Sequence, residues 1–499
     1  MAGDLDPTFV ALPLEKTAAA ALSAATELGC EHVEARVGRI RSQVLQLRDG
    51  SVETSLDDLD LGLGVRVVRD GSIGFAATIE LGPDAGSATA DAAASIATAV
   101  LPALTRRIEL APEPAHGSVS WTSGHEIDPT KVSLAEKVEL LAAWSSRLLA
   151  KPGVDHVTAT LLAVVEDSHL STSGGTVADQ RRVRLRAAVE IVSVDRETGE
   201  FETMRTLTPP AARGYEHLAA VEAEIEELAE HLTERRRARS VEPGHYDLVI
   251  DPSNLWLTIH ESIGHATELD RAMGYEAAMA GTSFATFDRL GSLRYGSEIM
   301  NVTGDRTAEH GLATVGVDDE GVEGQAFDLV RAGVLVGYQL DRRIAAEQGF
   351  ERSNGCAYAA SAMYTPLQRM ANVSLLAAAG AGPSTEDLIS AVEHGIYVVG
   401  DKSWSIDMQR HNFQFTGQRF YAIEHGRLAG QLKDVAYQAT TTEFWGSMEA
   451  VGGSSTYVLG GALNCGKGQP MQSAPVSHGC PSALFRQVNV LNTRAESGR

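Results

Sequence analysis

The sequence predicts an α+β protein with two domains. The N-terminal α+β domain has helices packed on mostly antiparallel strands, and a β-rich C-terminal domain carries a helix with candidate metal ligands. Two observations support this fold class. The first half runs helix, strands, helix, helix, strands rather than in strict β–α alternation, and the chain after residue 291 is rich in glycine and strand patterns. Glu242-Pro243-Gly244 breaks the chain, so we predict domains 1–242 and 243–499.

The helices of the first half follow from periodicity and capping residues. Gly29 ends a helix predicted over 14–28, and Pro102 ends one over 84–101, within an Ala-rich run (85–104) predicted to be buried. Ser133 and Glu136 form a capping box for a helix that ends before residue 151. A helix over 215–239 has one apolar stripe: Leu218, Val221, Ile225, Leu228 and Leu232.

The strands follow from apolar runs and alternation. In the first half they are predicted at 33–37, 44–47, 59–67, 73–78, 157–165, 182–192 and 201–207, and the second half begins with 246–250. The order of elements in the first half suggests a loose internal duplication. Three hairpin turns are predicted: Asp70-Gly71, Arg331-Ala332-Gly333 and Glu424-His425-Gly426.

Composition excludes several function classes. The 499 residues carry 42 basic and 66 acidic side chains, a net charge of −24, which opposes a nucleic-acid or anionic-membrane surface. The Arg235-Arg236-Arg237 run is interpreted as a solvated helix end. Residues 1–13 have no basic segment, so no signal peptide is predicted, and no run is apolar enough to span a membrane. Four scattered cysteines are typical of reduced thiols in a cytoplasmic protein.

The motif His260-Glu261-x-x-x-His265 is the clearest chemical signal in the chain. Zinc hydrolases place two histidines four residues apart on one helix face, with a glutamate beside the first. Here the spacing is five, and a regular helix would hold the two imidazoles about 140° apart. Either the helix has one wide π-type turn with an i→i+5 backbone bond, or it ends near Gly264 and His265 enters from the unwound end; Gly264 favours both. We predict the wide turn, with helix on both sides of it.

A third metal ligand is needed, and the residues alone leave it open. Cys465 lies in a predicted Gly-rich loop (460–468), where Lys467 would favour a thiolate. His478, Cys480 and the acids Asp318, Asp319 and Glu320 are rivals. If they bind no metal, Cys465 would be a buried apolar side chain and the three acids would form a polar hairpin turn.

Several segments together resemble the TldD branch of the TldD/PmbA metallopeptidase family. They are Thr54 to Phe75, His260-Glu261 with Gly264-His265, Asp318 to Gly321, Pro366 to Asn372, and Cys465-Gly466-Lys467 with Gln472 to Val476, Gly479 and Pro481. The resemblance covers nearly the whole chain. Cys480 departs from it, as do the residues around the second histidine.

The resemblance implies a zinc peptidase of unfolded peptides or leader peptides. It implies one Zn²⁺ held by His260, His265 and Cys465, with Glu261 as the catalytic carboxylate. It also implies pairing with a TldE/PmbA-type paralogue that lacks the motif, through the N-terminal domain, with a homodimer as the form expected when the chain is expressed alone.

The mechanism predicted is metal-assisted amide hydrolysis, with Glu261 as general base. Arg369, His411 and Tyr457 are candidates for substrate binding because they are polar residues in predicted strand-edge segments. Peptides would bind as an added β-strand. Two alternatives stay open: a hydrolase with Cys465 as nucleophile and His478 or His260 as base, and a non-catalytic peptide-binding subunit.

Overall fold

The structure, a computed structural model, describes residues 5–496, with side chains through Ala495. The described part excludes residues 1–4, which belong to the segment predicted to lack a signal peptide. It also excludes residues 497–499, at the end of the second predicted domain. Up to residue 240 the elements are α1 (Pro7–Val10), α2 (Leu14–Glu27), β1 (His32–Arg48), β2 (Ser51–Arg69), β3 (Ser72–Thr78), α3 (Pro83–Val100), β4 (Gly117–Thr122), α4 (Leu134–Leu149), β5 (His156–Thr172), β6 (Thr176–Val194), β7 (Phe201–Arg205), α5 (Leu218–Arg237) and β8 (Arg239–Ser240).

Beyond residue 240 the chain is dominated by strands. The elements are β9 (Gly244–Ile250), α6 (Pro252–Ile259), α7 (Leu269–Ala272), β10 (Val302–Asp305), β11 (Ala326–Arg331), β12 (Val334–Leu335), α8 (Arg342–Glu347), β13 (Ala357–Tyr358), β14 (Leu367–Gln368), β15 (Asn372–Leu375), α9 (Thr385–Ser390), β16 (His394–Ile406), β17 (Asn412–Glu424), β18 (Arg427–Lys433), β19 (Val435–Thr440), α10 (Thr441–Gly446), β20 (Met448–Val451), β21 (Val458–Lys467), β22 (Gln472–Cys480), β23 (Ala483–Asn492) and α11 (Thr493–Glu496). The predicted α+β class and β-rich second half are confirmed.

Within the described residues, the N-terminal sheet has the order β3-β2-β1-β5-β6-β4, with β7 also on β6. Its pairings are antiparallel except for β4 on β6. The order helix, three strands, helix occurs twice, as α2-β1-β2-β3-α3 and α4-β5-β6-β7-α5. Each set of helices packs on its own part of the sheet and forms a separate apolar cluster.

Most predicted helices and turns agree with the structure. The Ser133–Glu136 capping box is present, and residues 70, 332 and 425 have positive φ in tight hairpins, each followed by a positive-φ glycine. Two predictions differ. The strands predicted at 33–37 and 44–47 are one strand, β1, because both segments pair continuously with β2 and β5. The Ala-rich helix α3 buries only its alanine face, since Ile96 and Val100 are exposed.

The C-terminal sheet has the order β16-β9-β23-β19-β17-β18-β8 in the described part of the chain, with β20 on β23. It packs with α6 and α10 around the largest apolar cluster, which includes Trp445, Tyr437 and Phe485. Two smaller units flank it, the β12-β11-β10-β15 sheet and the β21–β22 hairpin. This core positions α6 and the hairpin beside each other.

Candidate metal centre

The motif histidines lie where α6 widens into a π turn. Asp251 caps α6 by accepting from the N–H of Ser253, and Pro252 occupies the first turn. A π turn follows over His260–Gly264, and the backbone N–H of His265 donates to the carbonyl of His260, the predicted i→i+5 bond. The two imidazole rings are 4.7 Å apart between centroids, and both residues are buried. The predicted wide turn is confirmed.

Gly264 acts differently from the prediction. Its φ of −52° and ψ of −60° are helical, so the turn does not need glycine's backbone freedom. A Cβ there would lie 2.6 Å from Met370 Sδ and 3.4 Å from His478 Cε1. Glycine here leaves room for the Met370 side chain, which would have to shift if a Cβ were present.

The predicted helix after the motif is also not continuous. A 3₁₀ turn over His265–Thr267 ends at Glu268, which is extended, and only four residues of helix follow in α7. The side-chain amide of Gln339 donates to the carbonyl of Gly264 at 2.7 Å, a backbone group that a continued helix would have satisfied. This break turns Glu268 back towards His265.

Cys465 supplies the third donor. One ligand atom each of His260, His265 and Cys465 lies within 4.8 Å of the others. Cys465 Sγ is 3.6 Å from His265 Nε2, which is about the nitrogen–sulfur separation across a tetrahedral zinc site. The Gly-rich segment is not a loop as predicted. It is strand β21, with a register shift between Ala462 and Cys465 that redirects the cysteine side chain.

Hydrogen bonds present the correct imidazole nitrogens. His265 Nδ1 lies 2.8 Å from Glu268 Oε2, so Nδ1 carries the proton and Nε2 is free. His478 Nδ1 donates to the Val373 carbonyl at 2.9 Å, which leaves His478 Nε2 to accept from His260 Nδ1 at 2.7 Å. Both motif histidines therefore offer Nε2, and with the thiol they form a set of three nitrogen and sulfur donors, the number that catalytic zinc sites use.

The rival ligands occupy other positions. His478 lies behind His260 and accepts a hydrogen bond from its Nδ1. Cys480 is buried, its thiol pKa is raised well above the usual range by burial, and its nearest polar contact is the Pro252 carbonyl. The acidic turn lies away from the motif: Asp319 pairs with Arg36, and Glu320 pairs with Arg66, both on the N-terminal sheet.

Glu261 is held by Arg410. The Arg410 guanidinium donates to Glu261 Oε2 from a tight turn in which Arg410 has a φ of 64°. Burial alone would raise the pKa of Glu261, but the neighbouring His260, His265 and Arg410 side chains lower it overall. Glu261 is thus a buried carboxylate kept ionised beside the three donors.

Two further cations hold the ligand strand. Lys467 Nζ lies 3.1 Å from Glu268 and 2.7 Å from Asp270, so it ties β21 to the segment after His265 rather than contacting the thiol as predicted. Arg369 donates to the Cys465 carbonyl at 2.7 Å. Burial opposes ionisation of Cys465, yet His265 and Arg369 lower its pKa overall.

The three substrate-binding candidates lie in different surroundings. Arg369 is fully buried behind Cys465. The His411 ring packs 5.2 Å from that of Phe284, next to Arg410 in sequence. Tyr457 precedes β21, at the opposite end of this strand from Cys465, where it contacts Gly479. The sequence analysis missed Arg410, Glu268 and Gln339, and no local spacing marks any of the three.

A cleft of about 290 Å³ adjoins the centre. Its walls include Trp256, which packs on His260 and stacks on His478, Trp404, which lies beside Glu261, and Asn464, next to Cys465. Residues 205–210 form the opposite wall, so the cleft separates the N-terminal part from β21. Among the described residues, β21 pairs only with β22, and its other edge carries no strand.

Comparison with known proteins places this chain in a family. Residues 243–492, half of the chain, match the domain family described as "PmbA/TldA metallopeptidase C-terminal domain". Residues 33–97 match the one described as "PmbA/TldA metallopeptidase domain 1". The chain therefore belongs to the TldD/PmbA metallopeptidase family, as the resemblance predicts.

Relatives agree over most of the length. A protein named metalloprotease from Methanothermobacter thermautotrophicus is 26% identical over 477 residues, 93% of this chain and 96% of the relative. A protein named zinc metalloprotease TldD homolog from Saccharolobus solfataricus is 24% identical over 264 residues, 53% of this chain and 55% of the relative. These names indicate a metalloprotease.

A solved structure shows the same fold. TldE from Thermococcus kodakarensis superposes with a TM-score of 0.71 at 16% identity, covering 94% of this chain and 98% of that one. Within residues 5–496, no helix has the length and apolarity to cross a bilayer.

Proposed function

We propose that this chain is a zinc-dependent peptidase that hydrolyses unfolded peptides or leader peptides, with one Zn²⁺ per chain. The observation that carries the proposal is the convergence of His260, His265 and Cys465 beside the ionised carboxylate of Glu261. The donor chemistry favours zinc, and one relative is named a zinc metalloprotease.

In this mechanism the chain's own residues orient and move protons. A zinc ion would supply a Lewis acid for amide hydrolysis. Glu261 accepts the proton of the attacking water and returns it to the leaving amine. Arg410 fixes the Glu261 carboxylate, and His478 and Glu268 fix the two imidazoles. Arg369 acts through the Cys465 backbone.

Substrate would bind along the cleft as an added strand on the open edge of β21. Main-chain pairing is indifferent to side chains, which suits an enzyme for unfolded peptides. The cleft runs beside Trp256 and Trp404 to Asn464, next to the metal donors. His411 and Tyr457 stay predictions as substrate contacts, and Arg369 would act from behind the site.

The proposed partner is a TldE/PmbA-type paralogue lacking the motif, with a homodimer as the form when the chain is expressed alone. The division into domains 1–242 and 243–499 and a cytoplasmic location belong to the same proposal. Support for the interface comes from β2, which pairs with β3 only from Leu63 onward. Its earlier part is a sheet edge exposing Val52, Leu56 and Leu59.

The cytoplasmic location rests on four cysteines that are free thiols in the described structure.

The decisive experiment is Glu261→Gln. This variant should keep one zinc per chain by elemental analysis, because both imidazoles are spared, and should lose cleavage of an unstructured peptide mixture followed by mass spectrometry. Glu298→Gln, at an exposed acid, is the matched control and should cleave normally. Cleavage by Glu261→Gln near the wild-type rate would contradict the general-base role of Glu261. Absence of cleavage by the wild-type chain in complex with its paralogue would contradict the peptidase activity itself.

One observation favours a second candidate. Cys465 Sγ contacts His265 Nε2, a thiol–imidazole pair that could serve a cysteine-nucleophile hydrolase. The base would then be His265 rather than His478 or His260. Such an enzyme would survive a zinc chelator and be inactivated by an alkylating agent, whereas the zinc peptidase would lose activity with the chelator and regain it with added zinc. A non-catalytic binding subunit would show no cleavage in any of these conditions.

A further inference from the structure

Four arginines line a small cavity between the N-terminal sheet and the β21–β22 hairpin. Arg182 and Arg184 come from β6, Arg306 follows β10, and Arg369 precedes β15. Each is between 1% and 3% exposed. The cavity has a volume of about 10 Å³, and Ala474 and Pro475 of β22 form part of its wall. A concentration of buried positive charge of this kind needs compensation.

Carboxylates compensate only one side of the cavity. Glu166 bonds both Arg182 and Arg184, and Asp319 lies 4.0 Å from Arg182. Arg184 also donates to the Leu312 carbonyl at 3.1 Å. These two arginines are therefore paired.

Neither Arg306 nor Arg369 has a carboxylate hydrogen-bonded to it in the described part of the chain, although, against the effect of burial, Cys465 and Glu268 lie close enough to Arg369 to raise its pKa. Within residues 5–496, the Arg306 guanidinium has no hydrogen bond or ion pair, and its Nε is a buried donor without a partner. Arg369 uses one nitrogen for the Cys465 carbonyl, while its Nε and Nη1 are also buried without partners. Asp318 does not neutralise Arg306, because its oxygens accept three backbone N–H groups and its pKa is raised well above the usual range by burial and Glu320.

We propose that this cavity binds one small monovalent inorganic anion, such as chloride, between the guanidinium groups of Arg306 and Arg369. A water molecule would satisfy an N–H group but would leave the charge uncompensated. The small volume, about 10 Å³, favours a monatomic anion over phosphate, sulfate or a peptide carboxylate. Burial lowers the pKa of Arg306, the direction expected when no counter-ion is bound.

The site has a structural consequence for the metal centre. Arg369 joins the cavity to the Cys465 carbonyl, and Ala474 pairs with Cys465 across the hairpin. An anion held here would stabilise the hairpin that carries the third metal donor. The inference does not depend on the proposed peptidase activity, because its readouts are thermal stability and anion density.

The first test measures the melting temperature of the full chain in sodium chloride against sodium gluconate, whose anion is too large for the cavity. At constant ionic strength, raising chloride from about 1 to about 100 mM should raise the melting temperature by about 2 °C or more. Arg306→Gln should abolish this response and Arg306→Lys should keep it. Arg294→Gln, at an exposed arginine, is the control and should respond like the wild type. An equal melting temperature in both salts, or a normal response in Arg306→Gln, overturns the proposal.

The second test does not depend on a variant that folds. Wild-type crystals soaked in sodium bromide should show one anomalous peak in contact with both guanidinium groups. A water molecule or no density at that point overturns the proposal. A bromide peak without any chloride response in solution means binding at crystal concentration only and also overturns it.

Discussion

His260 Nδ1 lies 2.7 Å from His478 Nε2, and His478 Nδ1 in turn donates to the Val373 carbonyl. The carbonyl accepts only, so it sets the tautomer of His478, and His478 sets the tautomer of His260. Burial lowers the pKa of both imidazoles, which keeps them neutral. A backbone group of β15 thereby determines which nitrogen of His260 faces the metal donors.

Replacing His478 should weaken zinc binding without removing a ligand. His478→Ala leaves His260 Nδ1 without its acceptor, and we expect zinc affinity to fall about 10–100-fold. His478→Gln offers an amide oxygen in place of Nε2 and should retain most of the affinity. Competition against a zinc chelator measures both. Equal affinity of His478→Ala and wild type would show that His478 has only a packing role.

Cys465→Ala should lose bound zinc, because two imidazoles remain as the donors to the ion. Cys480→Ala is the matched control, a buried cysteine with the same loss of volume whose thiol donates to the Pro252 carbonyl, away from the two motif histidines. Elemental analysis should give zinc near zero for the first variant and one per chain for the second. The reverse pattern would make Cys480 the ligand.

Arg410→Gln should slow peptide cleavage, because Glu261 loses the guanidinium that orients its carboxylate. We expect a fall in kcat of about 10–100-fold, the scale of a general base that is misplaced rather than absent. Zinc content should not change, and Arg410→Lys should recover part of the rate. Arg427→Gln, at an exposed position, serves as control. A parallel loss of zinc in Arg410→Gln would show that Arg410 supports the whole site instead.

Asp341→Asn should stabilise the protein increasingly as pH rises. Burial, with Glu320 acting in the same direction, raises the pKa of Asp341 to about 7. The unfolded chain has a pKa near 3.9, so between about pH 4 and about pH 7 the native state binds more protons and stability falls as pH rises. Asparagine cannot ionise, yet its oxygen can still accept from the Ile344 N–H that caps α8.

We expect the stability gain of Asp341→Asn to grow by roughly 2–3 kcal/mol between about pH 5 and about pH 8. Denaturant unfolding at several pH values measures it. Asp58→Asn, at an exposed acid, should show no comparable trend. A gain that is the same at every pH would mean that Asp341 does not titrate in this range.

The local part of the site was predictable from spacing. Two histidines five residues apart cannot share one face of a regular helix, so the π turn follows from helix geometry. The hairpins at residues 70, 332 and 425 were also predictable from local sequence, because positive-φ turns depend on a few adjacent residues. Glu268 was not predictable as a partner of His265, because its position depends on a helix break stabilised by Gln339, 75 residues from the carbonyl it bonds.

By itself the sequence determined the α+β class, the −24 charge that opposes nucleic-acid binding, and the motif with its two histidines five residues apart. Family resemblance selected Cys465 among several rivals, which residue spacing could not do. Only the tertiary structure decided that His478 supports His260 across 218 residues, that Arg410 holds Glu261, and that the buried Arg306 Nε has no hydrogen-bond partner within residues 5–496. These contacts join segments far apart in the chain, and their distances depend on how two sheets and a hairpin pack, which no local sequence pattern encodes.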